Sequence, residues 1–123
     1  MADLEVVIVT VEREFWSGTA SMVVAKTTEG EIGIQRGHEP LLGQLDATGT
    51  VSVYTDEGKS VASVRGGFIS VTASKVQVLG EGADWAENID KAAAERILAD
   101  SGSSELQRDT ARSRILAVEK AGA

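Results

Sequence analysis

Through residue 79 the chain is written in short runs where aliphatic side chains alternate with polar ones: Leu4 to Val11, Ser21 to Thr27, Thr50 to Thr55, Ser60 to Val64, Phe68 to Thr72 and Lys75 to Leu79. A period of two with abundant valine marks a half-buried strand, and each run is too short for a helix. Asp56-Glu57-Gly58-Lys59 reads as a hairpin loop, and Ala73-Ser74 as a tight link between two strands. No stretch before residue 85 offers a crossover helix of period 3.6, which argues against a parallel α/β architecture. The pattern predicts an antiparallel β-sandwich or flattened barrel of about six to ten strands.

At Asp84-Trp85 the pattern changes, and the remaining 39 residues are rich in Ala, Glu and Arg. Asp84 followed by Glu87 has the spacing of a capping box, and Asn88 offers a second start, so a helix is expected to begin between 85 and 89. Its opening turns hold Glu87, Lys91 and Glu95 at i, i+4 spacing, and its apolar stripe is Ile89, Ala93 and Ile97 with Leu98 alongside. Ser101-Gly102-Ser103-Ser104 breaks it, and Ser104 with Gln107 forms a second capping box, opening a helix from about Glu105 to Lys120. The fold class is therefore α+β: a β-sandwich body of residues 1–84 followed by a two-helix hairpin arm of residues 85–123. Helices of about 12 to 16 residues are marginal alone. These carry few large apolar side chains, so their position depends on what they pack against. A permanently docked hairpin and an arm with two packings of similar free energy both fit.

Composition narrows the classes. A length of 123 residues suits one ordinary domain and leaves no room for a second, enzymatic one. Hydrophobic residues at 42% and charged ones at 25% are globular values, whereas aromatics at 4% require an aliphatic core. Zero cysteines exclude disulfides, thiolate metal sites and a cysteine nucleophile, and permit a reducing cytoplasm. Apolar runs such as Val6-Val7-Ile8-Val9 fall far short of the ~20 residues that span a bilayer, and the N-terminus lacks a signal-peptide layout. Membrane association is expected only through a partner. The net charge of −7 argues against nucleic-acid binding. That charge is uneven: residues 1–84 carry 6 basic and 12 acidic side chains, and residues 85–123 carry 6 and 7. Arg108, Arg112 and Arg114 have only Asp109 nearby in sequence, so this segment either suits an acidic partner or is a solvated helix face.

Little in the chain calls for catalysis. The glycine-rich stretch Gly30 to Gly37 is followed by no Lys-Ser/Thr pair and no helix start, so it does not read as a phosphate loop. His38, the single histidine, has no orienting carboxylate in reach along the chain, and no ligand constellation surrounds it, so no metal site is expected. A hydrolase triad lacks its nucleophile turn. A free-standing sandwich that binds a small ligand and signals through a helical switch remains an alternative, with an enzyme based on His38 behind it.

Several segments, in order and spacing, match a known family. They are Trp16-Ser17-Gly18-Thr19-Ala20, Gly30-Glu31-Ile32-Gly33-Ile34, Gly37-His38-Glu39-Pro40-Leu41-Leu42, Gly66-Gly67-Phe68-Ile69-Ser70-Val71 and Ile89-Asp90. Over essentially its whole length the chain resembles the epsilon subunit of F-type, proton-translocating ATP synthase, and its brief arm looks like the actinobacterial branch. The resemblance implies a ten-stranded sandwich and helical hairpin in the rotating central stalk, bound to the gamma subunit and the c-ring at the cytoplasmic face of the bacterial plasma membrane. It implies a coupling role without a catalytic site, since ATP is made on the beta subunits of the alpha and beta head. Glu31 and His38 become candidates for contact with the c-ring or gamma. Arg108, Arg112 and Arg114 become candidates for meeting an acidic beta-subunit surface when the arm extends and hinders ATP hydrolysis.

Two departures from the family pattern stand out. Gln35-Arg36 replaces an apolar residue and proline ahead of the Gly-His pair. Some members hold ATP between the folded helices with an Ile/Leu-Asp-x-x-Arg-Ala motif; this chain keeps Ile89, Asp90 and Ala94 but places Ala93 where the arginine belongs. Losing a charge-assisted contact of about 1.5–3 kcal/mol predicts weak or absent ATP binding by the isolated subunit, and no other cofactor is expected.

Overall fold

The computed structural model describes residues 3–122. Ten strands come first: β1 Leu4–Thr10, β2 Glu14–Ala20, β3 Met22–Thr27, β4 Gly30–Ile34, β5 Leu41–Gln44, β6 Thr50–Thr55, β7 Gly58–Arg65, β8 Phe68–Val71, β9 Lys75–Gly80 and β10 Gly82–Trp85. They form two five-stranded sheets, ordered β2-β1-β9-β8-β5 and β10-β7-β6-β3-β4. Alternation places Leu4, Val6 and Ile8 of β1 and Val76 and Val78 of β9 inward, to meet Val51, Val53, Ala62 and Val64 from the facing sheet in one aliphatic core.

Both expected turns are present, between β6 and β7 and between β8 and β9. Every pairing is antiparallel except β1 with β9, which runs parallel. Those two strands lie far apart in the chain with four of the second sheet's five strands between them, so no hairpin fixes their relative direction. The chain crosses from the second sheet to the first at Gly66-Gly67. A Cβ on Gly67 would fall 1.8 Å from the Leu79 carbonyl oxygen, at φ +86°, so only glycine fits this crossing.

A 3-10 turn, Ala86–Asn88, leads into α1, Lys91–Ala99, and α2, Glu105–Ala121. The cap of α1 is Asp90, whose carboxylate accepts from the Ala93 amide at 3.1 Å; neither Asp84 nor Asn88 fills that role. The reason is tertiary. Trp85 still belongs to β10, with its ring 4.8 Å from Phe15 and 6.4 Å from Trp16, and the Asp84 carboxylate is engaged elsewhere. Lys91 accordingly leaves the expected Glu87–Lys91–Glu95 row and pairs with Glu119 of α2 at 3.7 Å. The second capping box is as the sequence predicts: Gln107 N–H donates to Ser104 Oγ at 3.1 Å, and Ser104 N–H to Gln107 Oε1 at 2.7 Å.

Candidate functional site

The arm is folded onto the body. Helix α2 packs across β7 and β6 on the outside of the second sheet. This explains why Thr50, Ser52 and Ser63, the polar partners in alternating strands, are buried like the core residues beside them. The helix presents small side chains to them: Ala111, Ser113 and Ala117 are buried. At about 0.8 kcal/mol per buried methylene-sized group, the two alanine methyls contribute only on the order of 1–2 kcal/mol, to which half-buried Ile115, Leu116 and Val118 add, so polar contacts share in setting how the helix sits.

The central contact is a directed relay. Ser113 Oγ lies 2.6 Å from the Gly49 carbonyl oxygen, which can only accept, so the single Ser113 proton goes there. Ser63 Oγ, 2.6 Å from Ser113 Oγ, must then be the donor of that pair, and it receives in turn from Arg65 Nη1 at 3.1 Å. Arg65 Nη1 spends its other proton on Asp84 Oδ2 at 2.9 Å, and Arg114 Nε of the arm donates to the same oxygen at 3.0 Å. Burial works to raise the Asp84 carboxyl, but hydrogen bonds from Arg65 and Arg114 outweigh it and hold it below the ordinary carboxylate value. Every buried side-chain nitrogen and oxygen among the described residues has a partner.

The three arginines singled out from sequence are thus not one free basic patch. Arg114 is bound to Asp84. Arg108 closes the end of α1, donating to the carbonyls of Leu98 at 3.2 Å and Asp100 at 2.9 Å. Arg112 is exposed and, among the described residues, makes a local pair with Asp109 at 3.3 Å. Glu31 and His38 are likewise separated: Glu31 lies near the start of β4 and His38 in the loop beyond its other end. Lys120 of α2 donates to Glu31 Oε2 at 2.7 Å, whereas His38 Nδ1 lies 2.7 Å from the Glu39 carbonyl oxygen.

Ile89, Asp90, Ala93 and Ala94 do come together. With Asp84, Asn88, Ile97 and Arg114 they line a cleft of about 240 Å³ between the hinge and the two helices. Its carboxylates are Asp84 and Asp90, and its one guanidinium already serves Asp84. Small-molecule pockets usually run to about 300–1,000 Å³. A triphosphate would meet more anionic than cationic groups here.

Pattern reading misses one surface. On the outside of the first sheet Val9, Leu79 and Phe68 stand in one cross-strand row, and Val7, Gln77, Ser70 and Leu42 in the next. Phe68 is 53% exposed and Leu79 52%, and with Val7 and Val9 they line one apolar patch on the side away from α2, while Leu42, 74% exposed, stands across Ser70 from it. Val9 and Leu79 are visible in the sequence as apolar residues, but their adjacency depends on the parallel β1–β9 register. Among the described residues no cluster of His, Asp and Glu could hold a metal ion, and no helix is long and apolar enough to cross a membrane.

A ten-stranded sandwich with one face under a helical hairpin and the other open defines a docking module with a terminal arm. Residues 3–86, the sandwich through the start of the hinge, match the family model described as the β-sandwich domain of the ATP synthase delta/epsilon chain, and the chain belongs to that family. It is 52% identical over 122 residues to the ATP synthase epsilon chain of Rhodococcus jostii strain RHA1, covering 98% of this chain and 100% of that one. It is 49% identical over 121 residues to the epsilon chain of Corynebacterium urealyticum, covering 98% and 97%. In fold it is similar to a chain of the Euglena gracilis mitochondrial ATP synthase OSCP/F1/c-ring assembly, at TM-score 0.74 and 23% identity over 100% of this chain and 83% of that one. A chain of the Tetrahymena thermophila central stalk and c-ring structure aligns at TM-score 0.57 and 19% identity, over 98% of this chain and 96% of that one.

Proposed function

We propose that the chain is a non-catalytic subunit of the ATP synthase central stalk, coupling c-ring rotation to ATP synthesis through its sandwich and restraining ATP hydrolysis through its arm. The division into body and arm at Asp84-Trp85 is a functional one in this reading. The observation that carries it is the two-sided sandwich: one outer face holds the arm, and the opposite one offers Val9, Phe68 and Leu79 to a partner. That open face is assigned to gamma, and the Gly30 to Leu42 segment with Glu31 and His38 to the c-ring. Released from Asp84, Arg114 would join Arg112 in presenting positive charge to an acidic surface of the alpha and beta head. The subunit is then peripheral, held at the cytoplasmic face of the plasma membrane through the complex, with no nucleic-acid partner.

ATP is not what holds the arm down in this proposal, because the cleft beside Ala93 is small and carries Asp84 and Asp90 against one occupied arginine. A free-standing ligand sensor is not favoured, since relatives spanning 98% of the chain are subunits of an assembly. Reconstitution tests the reading. The full chain and a form ending at Trp85 are added to ATP synthase stripped of this subunit. Both forms should restore coupling to some degree, and only the full chain should suppress ATP hydrolysis. Failure of both to bind overturns the assignment, and equal inhibition by both overturns the role of the arm.

A further inference from the structure

The last turn of α2 reaches across the second sheet to its edge strand β4. Lys120 Nζ donates to Glu31 Oε2 of β4 at 2.7 Å and to Thr50 Oγ1 of β6 at 2.9 Å, while the Lys120 carbonyl accepts from Lys59 Nζ of β7 at 2.6 Å. Each end of this residue is therefore held by the body. Lys59 also satisfies a carbonyl at the helix C-terminus, where the partial charge is negative. Among the described residues Lys120 is the only cation paired with Glu31.

We propose that the docked arm masks Glu31, so that arm docking and the engagement of Glu31 by a cationic or hydrogen-bond-donating partner surface oppose each other. The inference rests on reading the strand and loop from Gly30 to Leu42 as a partner contact. A carboxylate that accepts the Lys120 ammonium must lose that bond before it can turn wholly to another donor. Freed Glu31 binds the partner more strongly, and a partner holding Glu31 weakens the last turn of α2; linkage makes the two effects equal. The Glu31 side chain is 52% exposed, so water and salt screen the pair. A solvated pair of this kind shifts an equilibrium by up to about fivefold. The coupling is a bias on the arm, graded by ionic strength.

Lys120→Gln, Glu31→Gln and the double variant test it by two readouts. The first is amide hydrogen exchange of α2 in the free chain; the second is affinity for ATP synthase stripped of this subunit, at low and high salt. Lys120→Gln should speed α2 exchange about two- to fivefold and tighten binding by a similar factor at low salt, while retaining a donor to Thr50. Glu31→Gln should speed exchange alike without tightening binding, and the double variant should exchange no faster than either single one. Unchanged exchange in both single variants, or additive effects in the double, overturns the proposal. So does a wild-type chain that binds while Lys120→Gln binds no tighter. A wild-type chain that fails to bind at all strikes instead at the functional reading, and the proposal falls with it.

Discussion

Ser113 has one proton to give, and the Gly49 carbonyl takes it, which sets the direction of every hydrogen bond back through Ser63 to Arg65 and Asp84. The relay ties one residue of the arm to four of the body, Gly49, Ser63, Arg65 and Asp84, and Arg114 adds a second link at Asp84. Arg65 of the body and Arg114 of the arm together hold the Asp84 carboxyl below its ordinary value, and through the Arg114 share the ionised carboxylate favours the docked arm at neutral pH. That contribution is complete above the unfolded value near 3.9 and disappears as the pH falls through the lowered one. Emission of Trp85, followed in a Trp16→Phe background, should therefore report arm release below about pH 4. Trp85 shares a cleft with Val118 and Ala121 of α2, so it senses that movement. Asp46, held low by hydrogen bonds from the Thr48 backbone and side chain, weakens the body in the same range. Asp84→Asn separates the two effects: it should shift the arm only partly toward release at neutral pH, by up to about fivefold for so exposed a pair, and diminish the arm's acid transition while leaving that of the body.

Among the elements, α2 is held on the body by polar contacts together with apolar burial, and α1 rests largely on α2. Helix existence was legible from the second capping box and from the break at Ser101 to Ser104. The start of α1 was not, because the side chain with capping chemistry at Asp84 is drawn away by Arg65 and Arg114. The motif residues Ile89, Asp90, Ala93 and Ala94 do gather on one cleft, yet the sequence could not show that its arginine would already be paired. Calorimetric titration of the free chain with ATP should give no low-micromolar dissociation constant. A value in that range would overturn the view that Ala93 and the paired Arg114 leave the cleft unfit for a triphosphate.

For the whole molecule, the two outer faces of the sandwich have opposite fates. Phe68→Asp on the open face should leave the melting temperature nearly unchanged, since the side chain is 53% exposed. It should weaken binding to stripped ATP synthase by about ten- to a hundredfold, the cost of losing one buried aromatic at an interface. Thermal unfolding followed by circular dichroism and a titrated binding assay of the variant measure the two quantities, and undiminished binding would remove the open face from the gamma contact.

The sequence by itself determined the aliphatic core, most of the strands, the order of a sandwich followed by two helices and the family, because periodicity, capping residues and turn residues act over a few positions. Only the tertiary structure decided what lies on each outer face. Alternation marks Ser63, Thr50 and Ser52 as turned away from the core, and cannot say whether water or α2 lies beyond. It marks Val9, Leu79 and Phe68 as outward apolar residues, and cannot say that a parallel pairing and a hairpin set them in one row. Both depend on contacts between residues far apart in the chain, which no local pattern encodes.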